Sequence, residues 1–575
     1  MSENKSQYMW PATWKKPYVY GSEGAVSCNN VYATRAGLEI LHQGGNAFDA
    51  AAAISLALAV VEPHHSGIGG GCFSLLYIAD TKKTEALDAR GIAPKNADSN
   101  LFLQNGEVQD EWKDVSGKSV AIPGLYKAID TILKKYGTMS LKQISQPAIR
   151  YAKNGFGVSF TGSITSDDNS VRRKCNLSKD FCRLYLKSDG SSYRFGELMK
   201  NPELGNLLET ISSDGVEKFY TGTIAKKIVD AINARGGIFT LEDLAEYEPK
   251  FRTPIHTNYR GYEVVAFAPP SGGCALLEML NILENYDLKN MGHNSAQSIH
   301  TITEAMKLGF ADRSVAMGDP DFVKVNIKHI LSKEYAAKRS SYIDLYHAKE
   351  FAPDSEIDVK DYPGNTSHFV VMDRYGNTVS QTQTVRDWFG CGIVVPHCGF
   401  ILNNAMSDFS AKEGALTSQG LAYGNANCIE GGKTPLSSMS PTIVFKDGKP
   451  FLAIGAAGGP RIITGTLQGI LNAVDFGMMP EQLVRMPFIT CLTKAQGLEL
   501  ESGISEDTKN LLKAKGHKIV TVPDGLVLSS MLNCVMYRDG QFYPCATERV
   551  DGCGGALMPG GHILLDGICQ EEFEK

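Results

Sequence analysis

The sequence predicts one interwoven α/β unit. Three observations carry that expectation: helical apolar spacing through the first half, a change to strand-like patterning near Tyr362-Pro363-Gly364, and the lack of any internal repeat, low-complexity tract or long linker. A chain of 575 residues has room for several domains, but 43% hydrophobic and only 21% charged residues suit a single large core.

Taken in chain order, the opening segment MSENKSQYMWPATWKKPYVYGSEG mixes charge, proline and aromatics without the apolar run of a secretory signal, so a cytoplasmic location is expected. Helices are expected over 35–42, 46–61, 124–136, 141–154 and 295–317. The second of these has a marked start at Asn46, after Gly44-Gly45, and a stop at Glu62-Pro63. Its apolar stretch, 50–61, is about a dozen residues where a membrane span needs roughly 20, so it reads as a buried helix and no membrane partner is expected.

After the acidic and polar segment 353–361, strands take over. Residues 367–372 and 378–384 flank the turn residues 373–377 and read as a β-hairpin; 442–445 and 451–455, joined through 446–450, read as a second. Gly458-Gly459-Pro460 then opens a helix toward Phe476.

Composition excludes some functions. A net charge of -6, a pI near 6.1 and no basic run argue against a nucleic-acid partner. The thirteen cysteines have no C-x-x-C pair and read as reduced, buried thiols. Cys391, His397 and Cys398 are spaced too loosely for structural zinc, and His64-His65 reads as a loop pair that nothing nearby completes, so no metal and no cofactor are expected.

The chemistry-bearing pattern begins at Asn365-Thr366, where a flexible segment delivers a hydroxyl residue to the start of a strand. A threonine hydroxyl needs an adjacent base, and an N-terminal threonine supplies one through its own freed α-amine. That amine titrates near 7.7–8.0, close to where a general base works best. Alternation along 378–384 places Ser380, Thr382 and Thr384 on one face. Gly458 and Gly459, ahead of a helix, would offer backbone N–H groups to a developing oxyanion. Each pattern alone also fits a bland reading, a threonine-rich strand or a glycine turn, and only their combination points to catalysis.

Together with GGNAFDAAAAISLALAVVEPHHSGIGGG (44–71), YRGYEVVAFAPPSGG (259–273), FADRSVAMGDPDFVKV (310–325), TSHFVVMDRYGN (366–377) and PLSSMSPTIV (435–444), these pieces resemble the γ-glutamyltranspeptidase family over about 37–555. The resemblance implies a precursor cut before Thr366 into a large subunit, 1–365, and a small one, 366–575, that jointly build a four-layer αββα sandwich of the N-terminal-nucleophile hydrolase type. It implies Thr366 as nucleophile, Thr384 as its hydroxyl partner and Gly458-Gly459 as oxyanion hole. Arg90, with Ser437 and Ser438, would grip the α-carboxylate of a γ-glutamyl group, and Asp408 its α-ammonium. Glutathione or a related amide would be the substrate, with water or an amino acid as acceptor. The segment 412–429 corresponds to a lid in some members, and GIGGG, despite its look of a dinucleotide loop, is structural in the family.

Two positions depart from the family pattern. Arg386 stands where an asparagine contacts the substrate, and Ala405 where an acidic or amide residue helps hold the amino group. These changes favour acyl groups without an α-amine, such as glutaryl or oxamate-like amides, with Arg386 assisting Arg90 on a carboxylate. A further alternative is a non-catalytic paralogue that never matures, which a denaturing gel would expose as a single band.

Overall fold

The computed structural model describes residues 19–351, 366–412, 424–493, 495–522, 530–565 and 568–571. Asn365 and most of the expected lid lie outside the described residues.

Helix Ala47–Val61 shows how the core is specified. Asn46 accepts from the Phe48 and Asp49 amides at 2.9 and 3.0 Å, while Asp49 Oδ2 accepts from the Asn46 amide at 2.9 Å. This reciprocal cap satisfies donors that would otherwise be orphaned where the helix enters the interior. Alanine and aliphatic residues on every side let all fifteen of its residues be buried.

Two antiparallel sheets pack face to face. The nine-stranded one runs in the order Ile568–Glu571, Ile563–Leu565, Cys553–Leu557, Gly24–Cys28, Ser367–Asp373, Thr378–Thr384, Gly71–Ile78, Lys83–Ala89, Lys250–Arg252. The six-stranded one runs Gln541–Ala546, Met531–Arg538, Lys449–Ala457, Thr442–Lys446, Tyr262–Ala266, Ile255–Tyr259. The pleat assigns faces in Ser367–Asp373. Phe369 and Val371 join the core made with helices Val31–His42 and Ala47–Val61, whereas Val370 and Met372 join the core shared with helices Gly273–Leu283, Ala296–Ala316 and Arg461–Val474. Helix, sheet, sheet and helix therefore stack as the implied four-layer α/β sandwich.

The structure corrects several sequence expectations. The 141–154 helix is two, Leu141–Ile144 and Gln146–Asn154, because Ser145 ends the first by donating to the Leu141 carbonyl at 2.6 Å and Pro147 enters the first turn of the second. The second hairpin turns on Asp447-Gly448 alone, both at positive φ (50° and 73°), so its strands are Thr442–Lys446 and Lys449–Ala457. The first half is also less helical than its spacing suggests, since it contributes Gly24–Cys28, Gly71–Ile78 and Lys83–Ala89 to the central sheet. The described cysteines are unbridged, and all but Cys182 and Cys428 are buried. No helix among the described residues is long and apolar enough to cross a membrane.

Candidate active site

The hairpin register builds the centre of the site. Ser367 pairs with Gln383 and His368 with Thr382, which sets Thr366 opposite Thr384 at the open end. The Thr366 hydroxyl donates to Thr384 Oγ1 at 3.5 Å, and Thr384 Oγ1 also accepts from the Arg386 amide at 2.8 Å. The second bond closes over Arg386, whose φ of 84° is an unusual value for a side-chain-bearing residue. Both threonines are buried.

The glycine run 69–71 has a packing purpose. A Cβ on Gly70 would lie 2.2 Å from the Thr384 carbonyl oxygen, and one on Gly71 would lie 2.2 Å from that of Arg90. The loop therefore presses Thr384 and Arg90 into one neighbourhood.

Below the Thr366–Thr384 pair, His368 faces Thr382 Oγ1 at 2.8 Å. Burial drives its pKa down to about 3, so the ring is neutral at physiological pH. Its ring fills the space a Gly455 side chain would need, with Cε1 2.3 Å from the Cβ position. Ser380 Oγ donates to the Ile454 carbonyl at 3.2 Å. These two contacts run Lys449–Ala457 along the hairpin toward its open end, where Gly458 and Gly459 follow at φ 121° and 60°.

Beside the threonines, Asp408 bridges two cations. Arg90 Nη2 donates to Asp408 Oδ2 at 2.5 Å and Arg386 Nε to Asp408 Oδ1 at 3.0 Å, with Arg386 also paired to Asp387. Asp387 is itself held by Asn404, whose Nδ2 donates to it at 2.8 Å. Burial works against the Arg386 cation, but Asp387 and Asp408 outweigh it and raise its pKa above the ordinary guanidinium value. Arg90 goes the other way: burial lowers its pKa more than Asp408 raises it. The nearby Arg386 charge lowers it further, and Arg90 Nε and Nη1 are buried without hydrogen-bond partners.

Ser438 Oγ is likewise buried and unpartnered, and is not in hydrogen-bond reach of Arg90. Ser437 Oγ accepts from the Met439 amide at 3.2 Å, and the Ser437 carbonyl accepts from Arg313 at 3.0 Å. Ala405 is fully buried among Ala121, Met406 and Phe409. The structure places Thr366, Thr384, Arg90, Arg386 and Asp408 in one neighbourhood, and Asp387, Asn404 and His368, which the sequence reading did not single out, lie beside them. Asp387 carried one legible signal, a carboxylate directly following Arg386, the position that departs from the family pattern.

Facing sheets between helical layers, with a threonine heading a central strand, define a hydrolase fold of the N-terminal-nucleophile class. The sequence profile described as gamma-glutamyltranspeptidase matches residues 33–556, and the chain belongs to that family. It is 38% identical over 537 residues to a glutathione hydrolase proenzyme of Escherichia coli (strain K12), covering 92% of this chain and 91% of that protein. It is 34% identical over 557 residues to the acylase ACY 1 proenzyme of Pseudomonas sp. (strain SE83), covering 95% of each. Among solved structures, a cephalosporin acylase from Bacillus halodurans superimposes with a TM-score of 0.83 at 28% identity, covering 96% of this chain and 98% of that one.

Proposed function

We propose that the chain cuts itself between Asn365 and Thr366 into 1–365 and 366–575 and then hydrolyses or transfers the γ-glutamyl group of glutathione and related amides. The observation that carries this reading is the Thr366–Thr384 hydroxyl pair at the open end of a buried hairpin. In the mechanism, Thr366 Oγ attacks the amide carbonyl while the freed α-amine takes the hydroxyl proton. The Gly458 and Gly459 amides steady the oxyanion. The C–N bond breaks as that proton passes to the leaving amine, and water or an acceptor amine then releases the acyl group from the threonyl ester. Arg90, with two open donors, takes the acyl group's carboxylate, and Ser438 supplies a hydroxyl.

A second reading is favoured by one contact. Arg386 is paired to Asp408 at 3.0 Å, so a γ-glutamyl substrate whose α-ammonium rests on that carboxylate has to share it with a buried cation. An acyl group ending in carboxylate alone, such as glutaryl, can accept from Arg90 Nε and Nη1 and asks nothing of Asp408.

Intact mass of the protein beside its Thr366→Ala variant, followed by release assays on γ-glutamyl and glutaryl anilides, tests both readings. Two fragments meeting at Asn365/Thr366 in the wild type only, with γ-glutamyl release, support the first; two fragments with release only from the glutaryl compound support the second. A chain that stays at full length refutes the mechanism and leaves the non-catalytic paralogue.

A further inference from the structure

Two groups of buried histidine and carboxylate side chains stand outside the catalytic geometry, and they differ in how well they are satisfied. In the first, His300 Nε2 donates to the Asp344 carbonyl at 2.7 Å, His517 Nε2 donates to His300 Nδ1 at 2.7 Å, and Glu304 pairs with Lys307 at 2.6 Å. Every member has a partner. In the second, Glu62, His64 and His65 bring their ligand atoms within 4.8 Å of one another, yet His64 Nε2 and both ring nitrogens of His65 are buried without a hydrogen bond. The Glu62 carboxylate stands 3.5 Å from His65 Nδ1 without making a hydrogen bond to it. Buried polar groups left in this state call for a water or an ion.

We propose that Glu62, His64 and His65 form a site for a divalent cation of the Zn2+ type, three protein ligands with a water in the fourth position. Two imidazoles and a carboxylate are donors such an ion prefers. Bonds of about 2.0–2.2 Å hold two ligands of one ion within roughly 4 Å of each other, so the three close on it by small side-chain rotations. An outer-shell bond is already in place: Ser367 Oγ donates to Glu62 Oε2 at 2.8 Å. The His64 and His65 carbonyls accept from the Phe389 and Val385 amides, each at 3.1 Å. The ion would thus tie the residue after Thr366 to the segment on either side of Arg386, bracing the site from behind.

The test uses the full chain, stripped with a chelator, loaded with Zn2+ or with Co2+ as a coloured probe, and desalted. Expected are about one ion retained per chain, nitrogen-ligand cobalt bands, and a Tm that rises with Zn2+. His64→Ala and His65→Ala should each weaken retention by about 10- to 100-fold, while His517→Ala leaves it unchanged. A wild-type chain that retains no ion overturns the proposal, and this result needs no variant to fold. Retention that survives the His64→Ala/His65→Ala double change overturns it equally.

Discussion

The Asp408 carboxylate and the Arg386 guanidinium are paired at 3.0 Å and both are buried, so on the proposed reading the group that would receive a substrate ammonium is already engaged. Replacing Arg386 by asparagine should release it. A desolvated like charge costs on the order of 1–3 kcal/mol, so Arg386→Asn should shift the ratio of kcat/KM for γ-glutamyl over glutaryl anilide upward by about 10- to 100-fold. An unchanged ratio would show that Arg386 has no part in selecting the acyl group.

Thr384 accepts from the Arg386 amide and from Thr366, so in the proposed mechanism its hydroxyl sets the orientation of Thr366 Oγ. Thr384→Ala should lower kcat by about 100-fold with little change in KM, and Thr384→Ser should recover most of the loss. Steady-state kinetics on the mature protein, with Tm as a folding control, checks this.

Gly70 is where the fold tolerates no side chain. The Thr384 carbonyl oxygen stands 2.2 Å from its Cβ position, and backbone cannot yield as a flexible side chain can. Gly70→Ala should cost about 2–4 kcal/mol and displace Thr384, lowering both the denaturation midpoint and the fraction of chains that mature.

His368 makes the protein acid-sensitive. The unfolded chain takes up a proton there near the ordinary histidine pKa of 6.5, while burial withholds it in the folded chain until about 3. The unfolded state therefore binds more protons across that window, and the stability contribution is full above 6.5 and is lost as pH falls toward 3. The slope is about 1.4 kcal/mol per pH unit at its steepest. Denaturant midpoints between pH 7 and pH 5 should fall less in His368→Asn than in the wild type.

The sequence revealed the hairpin and what it carries, because strand alternation and an antiparallel register are local rules. Thr366 meets Thr384 once the turn after Asp373 is in place. It revealed Arg90 and Asp408 only as members of longer motifs, since two charges 318 positions apart leave no local trace of their contact. The expectation that Arg386 would lean on a substrate carboxylate met a different arrangement: Asp387 and Asp408 hold it first. Glu62 looked like a helix stop beside a loop histidine pair, and only the folded chain brings the three together. The 141–154 helix was over-read because apolar spacing continues through Ser145, where the backbone does not.

The strand order of the large sheet bears on what a cut before Thr366 would do. Ser367–Asp373 and Thr378–Thr384, from beyond the cut, lie between Gly24–Cys28 and Gly71–Ile78, from before it, and Cys553–Leu557 flanks Gly24–Cys28 on the other side. Neither piece owns a complete sheet, so the pieces cannot drift apart without melting the core. Once the joining peptide is gone, however, reassembly from the denatured state becomes an encounter between two molecules. The uncut chain would regain its shape at a rate indifferent to dilution, whereas the severed pair would slow in proportion to it, and a single passage through denaturant would separate the two forms by concentration dependence alone.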